Sequence, residues 1–94
     1  MNLTENEIII IIKEIMLSLK EEELLGQNIE DEYNFPIGIS KKLDAMPLES
    51  YYKLITNCVN FSKLMLDKYS YELNSLNVLH EEIHNNLNII LKDL

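Results

Sequence analysis

The residues with the clearest catalytic potential sit in one short string, His80-Glu81-Glu82-Ile83-His84. Residues four apart share a face of a helix, so His80 and His84 could grip one zinc ion while Glu81 served as general base toward a metal-bound water. A working zinc centre needs a third ligand. After His84 only ten residues remain, and Asp93 is the sole acid among them. Other chemistry is scarcer still. Cys58 is the single cysteine, and its nearest cations in sequence are Lys53 and Lys63, a setting that does not favour a reactive thiolate. Its expected role is that of a small buried hydrophobe. The two glycines stand twelve apart and form no phosphate-cradling loop, and no nucleophile–base pair is legible. Lys41-Lys42, near Tyr33 and Phe35, could hold a small anionic ligand such as a nucleotide; the plainer expectation is a solvated turn.

The string His80 to His84 resembles the HExxH signature of the zincin metallopeptidases, over five residues of 94. It departs from that pattern at Glu82, where an uncharged residue is usual, and at Asn85 and Asn86, where an apolar residue would help bury the motif. The expectation is therefore a non-enzymatic chain without a cofactor, in which His80 and His84 are weak metal candidates. On that view His80 interrupts an apolar seam, and His84, Glu81 and Glu82 face solvent as helix-supporting pairs. Were His80 buried in a homo-oligomeric seam, assembly would depend on pH.

The elements that would carry these residues are helical. Hydrophobic residues make up 47% of the chain and only 2 Gly and 2 Pro punctuate it, which suits a packed helical domain rather than a disordered one. Thr4-Glu5-Asn6-Glu7 is a capping box, so a first helix is expected from about Glu5 to Leu25, closed by Gly26. The five consecutive isoleucines Ile8 to Ile12 would also suit a buried strand. As a helix, the segment is apolar nearly all round and must be surrounded. With at most two further helices expected, a second copy of the chain is the anticipated cover, with Ile8, Ile9, Ile12, Ile15, Met16 and Leu19 at the oligomer interface.

Residues 26–47 hold both prolines and the second glycine and read as an irregular connector packed on the helices through Phe35, Ile37, Ile39 and Leu43. Within it Ser40 would cap a single turn reaching Ala45, and Pro47 would take the first position of the next helix. From Leu48 to Leu94, alternating steps of four and three trace a heptad seam through Leu48, Tyr52, Ile55, Val59, Ser62 and Leu66 and on through His80, Ile83 and Ile90. A second stripe, Tyr51, Leu54, Cys58, Phe61 and Met65, widens that face. Two architectures fit: one long coiled-coil helix, or a hairpin turning near residues 74–77 that completes a bundle of about three helices. The favoured expectation is a single all-α domain spanning residues 1–94, built as the hairpin and oligomeric.

Charge narrows the partners. Sixteen acids face eight lysines and no arginine, a net charge of −8 that repels phosphate backbones and anionic membranes, so neither nucleic acid nor membrane is an expected partner. Nine acids against two lysines give residues 1–32 a net charge of −7, and the remaining residues are nearly balanced at −1. The excess is concentrated between Glu21 and Glu32, where Glu21, Glu22, Glu23, Glu30, Asp31 and Glu32 could dock a basic or nucleic-acid-binding protein. The competing reading is a solvated acidic turn. The longest apolar run, Ile8 to Ile12, is too short for a membrane span, and the first twelve residues lack the positive charge of a secretory leader, so the cytoplasm is the expected compartment. Many Asn, Ile and Lys without Arg match an AT-rich coding genome of bacterial or phage style. The function these features suggest is an inhibitor, immunity or anti-defence type of interaction module; the alternative is an assembly subunit of a larger helical complex.

Overall fold

The computed structural model describes residues 3–25, 33–69 and 76–92, and every regular element among them is α-helical: α1 (Glu5–Leu25), α2 (Ile37–Asp44), α3 (Leu48–Tyr69), α4 (Leu76–Asn85) and α5 (Leu87–Ile90). The isoleucine run is thus helix rather than strand. What tips it is a start signal stronger than the β-branched propensity that opposes it. The Thr4 N–H donates to Glu7 Oε1 at 2.9 Å and the Glu7 N–H to Thr4 Oγ1 at 3.2 Å, the reciprocal bonding of a capping box.

α1 packs chiefly on α3, α4 also leans on α1, and α5 returns to α3. Ile8, Ile11, Ile12 and Ile15 are at most 1% exposed, and Ile9 and Met16 are buried beside them. Among the described side chains of α1, the large apolar ones that face solvent are Ile10 and Leu17, a heptad apart. The second copy expected over α1 is therefore replaced by the chain itself. Ile8, Ile9, Ile12, Ile15 and Met16 belong to its own core, and Leu19 packs half-buried against it. Where three helices and a packed irregular connector are expected, α2 gives that connector a helix, and α5 adds further cover.

α2 arises within the expected connector. Pro36, at φ −53°, takes the N-cap position and its carbonyl accepts the Ser40 N–H at 2.9 Å, so the helix starts at Ile37 rather than at Ser40. The Ser40 hydroxyl instead bonds back to the Phe35 carbonyl at 3.4 Å. Ile39 and Leu43, four residues apart, bury into the core, Phe35 packs half-buried and stacks on Tyr33, and Ile37 stays exposed. Pro47 sits one residue ahead of its expected place, its carbonyl accepting the Tyr51 N–H at 2.9 Å just before α3 begins.

On α3 the buried face is the second stripe. Leu54 and Cys58 are fully buried and Phe61 and Met65 nearly so, while Leu48 and Tyr52 of the heptad seam are 66% and 60% exposed. Ser62 is the polar exception in the core, and its hydroxyl is satisfied by the Cys58 carbonyl at 2.7 Å. After α3 the chain runs back along it. Lys68 pairs with Glu82, and the Asn57 amide donates to the carbonyls of Ile90 and Lys92, both at 3.1 Å. The turn expected near residues 74–77 lies largely outside the described residues. Among those described, no helix is long and apolar enough to cross a membrane.

The capping carboxylate also fastens α2. Lys42 Nζ lies 2.7 Å from Glu7 Oε1, and this bond, helped by the Thr4 N–H, holds the Glu7 carboxyl below its ordinary value of 4.5. A depressed folded pKa contributes stability at pH above the ordinary value and loses it as pH falls through the folded one. Glu7→Gln keeps a side chain able to close the capping box but abolishes the charge. Wild type is expected to lose more stability than this variant between pH 7 and pH 3 in urea titrations; equal losses would show that Glu7 titrates normally.

Candidate interaction surface

The acidic end is carried by the last turns of α1. Glu21 is exposed, Glu22 and Glu23 follow within the helix and are described by backbone alone, and Glu30, Asp31 and Glu32 lie outside the described residues. The position of the first three is energetically awkward. A helix C-terminus carries the negative end of the macrodipole, where cations are favoured and each carboxylate costs roughly 0.3–1 kcal/mol. The last turn of α1 contains no basic residue to offset them.

The histidine string lies on α4 without converging on a metal. His80 and Glu81 are exposed, and His84 Nδ1 sits 2.7 Å from Glu5 Oε1 at the start of α1. Glu82 is engaged by Lys68 at 3.1 Å. Among the described residues no three metal-ligating side chains come together. Compared with known proteins, the chain matches no family model, no curated protein and no solved structure. Its function has to be read from its own surface.

The paired lysines do not act together, because Lys42 is directed to Glu7 on α1 while Lys41 is exposed. Cys58 is sealed in the α1–α3 core, where burial pushes its thiol up to about 12, out of the range of a thiolate nucleophile at neutral pH.

A feature that sequence reasoning missed is a cleft of about 320 Å³ between α3 and the α4–α5 segment. Phe61 and Met65 form its apolar floor, and Leu64 and Ile89, each more than 60% exposed, stand at its rim. The Lys68–Glu82 pair closes one end. The neighbouring amides of Asn57 and Asn86 are committed to backbone carbonyls, so they fix the walls rather than offer chemistry. The cleft could take an apolar side chain of a partner. Its walls come from Asn57 and Ile89 alike, residues whose approach no local pattern announces.

Proposed function

We propose that the protein is a non-enzymatic interaction module that docks a basic protein surface through the acidic end of α1 and the segment after it. The single observation that carries this reading is the crowding of Glu21, Glu22 and Glu23 at the helix end least suited to carboxylates, with no lysine in the last turn. Placement against the local field lowers the stability of the free chain, and a cationic partner would relieve it. The surrounding charge adds reach: residues 1–32 hold −7 of the net −8, a field that speeds encounter with a basic surface.

The inhibitor, immunity and anti-defence classes remain class analogies for a module of this kind. A bait experiment in the native cell tests the reading. Wild type should capture a basic partner, and a variant with Glu21, Glu22, Glu23 and Glu30, Glu32 changed to Gln and Asp31 to Asn should lose it while keeping its helical circular dichroism. Capture of the same partner at equal yield by both chains would end the proposal. A second reading, an assembly subunit, is favoured by the exposed Leu64 and Ile89 beside the α3–α5 cleft, and it predicts that the neutralised variant binds as well as wild type.

A further inference from the structure

His80 and His84 take no part in the core. They stand four apart on α4 and so share one flank of the helix, beside the buried Leu79 and Ile83. Both are exposed, and the His84 side chain is 68% open to solvent although it is bonded. Glu82 lies on the other flank, where Lys68 of α3 takes it. His84 turns instead to α1: its Nδ1 is 2.7 Å from Glu5 Oε1, a bond between residues 79 apart in the chain.

We infer that His80 and His84 form a two-imidazole site for a borderline divalent ion of the zinc, nickel and copper group, with Glu5 as its positioning residue. The deciding observation is which ring nitrogen Glu5 occupies. A carboxylate accepts and does not donate, so Nδ1 of His84 carries the proton, and in the neutral ring Nε2 then carries the lone pair that a metal needs. Ligating histidines ordinarily give their other N–H to such a carboxylate, which fixes the tautomer and raises the basicity of the ligand. Glu5 is itself well placed for this. It is the first residue of α1, in the turn that the Thr4 and Glu7 capping box closes.

Imidazole nitrogen suits zinc, nickel and copper, whereas magnesium and calcium seek oxygen ligands. Among the described residues no third metal-ligating side chain joins the pair, so solvent completes the coordination. Charge favours a dication here, because Glu5 and the exposed Glu81 flank the histidines in a chain of net −8, and His84 lies in the last turn of α4, at the negative end of that helix. Since the His84 bond to Glu5 ties α4 to the start of α1, an ion bound on it also stabilises the fold. The site uses neither the acidic end of α1 nor the α3–α5 cleft, and it stands or falls independently of both.

Calorimetric titration of the full chain with zinc, nickel and magnesium chlorides tests the inference, at about pH 7.5 where ordinary imidazoles are neutral. Wild type should bind zinc or nickel more tightly than about 100 µM and ignore magnesium. At about ten times the dissociation constant the thermal midpoint should rise by about 5–10 °C. His80→Ala and His84→Ala should each weaken binding by about tenfold or more. Glu5→Ala should cost about tenfold as well, whereas Glu5→Gln, which keeps an acceptor for the Nδ1 proton, should stay within about threefold of wild type. Wild-type binding weaker than about 100 µM, or an equal response to magnesium, overturns the inference. So does a smaller loss from either histidine variant, which would leave the ion on a single imidazole or on carboxylates, and so does a Glu5→Ala chain that binds as tightly as wild type. All four variants alter exposed residues, and circular dichroism should show each as helical as wild type.

Discussion

Ile12→Ala should lower the thermal midpoint by about 10–30 °C. Truncating a fully buried isoleucine costs roughly 2–5 kcal/mol in lost transfer energy and residual cavity, and a domain of this size has only about 5–14 kcal/mol in total. Each kcal/mol shifts the midpoint of a 60–100-residue domain by about 4–8 °C. Ile12 is 0% exposed within a single chain, among Ile8, Ile11 and Ile15 on the face that meets α3. Its contribution should therefore not depend on protein concentration. The difference between variant and wild type should be the same at 2 and 200 µM, and a difference that shrinks with dilution would show that Ile12 contacts another copy after all. Leu17→Ala, on the exposed line of the same helix, is the control and should change stability by less than about 0.5 kcal/mol.

Neutralising the end of α1 should have the opposite sign. Glu22→Gln/Glu23→Gln removes two negative charges from the last turn, where no basic residue compensates, and the expected gain is about 1 kcal/mol, or about 4–8 °C in the midpoint. Salt screens the same repulsion, so the gain should shrink in 1 M NaCl. A midpoint that falls instead would mean that these carboxylates already have stabilising partners within the chain, and the case for an external cationic one would lose its basis. Improved stability together with lost capture of the partner is the signature of residues retained for binding at a cost to the fold.

The legible parts of this fold were those written in local chemistry. Thr4 and Glu7 announced the start of α1 because a capping box closes within four residues, and Pro47 announced α3 for a similar reason. Helical class followed from periodicity and from the scarcity of Gly and Pro. The sequence shows α2 only as a single turn from Ser40 to Ala45, because Pro36, Gly38 and the lysine pair disrupt the pattern, although Ile39 and Leu43 at a spacing of four carry the signal. The choice between the two stripes on α3 could not be made locally. Leu48-Tyr52-Ile55-Val59 and Leu54-Cys58-Phe61-Met65 both step by four and three, and what decides between them is where α1 lies, a tertiary fact. The same reason explains why Ile8, Ile9, Ile12, Ile15 and Met16, expected to meet a second copy, lie in the chain's own core: a helix apolar on most sides needs neighbours, but periodicity does not say whether they come from the same chain. The cleft depends on Asn57 meeting Ile90, 33 residues away, so it had no local trace.

The reading of the acidic end rests on electrostatic attraction, and its most direct test is the salt dependence of the association rate with the captured partner. Between 50 and 500 mM NaCl the rate constant for wild type should fall by at least tenfold, with dissociation changing far less, and the neutralised variant should start slow and stay flat. A wild-type rate that is indifferent to salt would contradict the account.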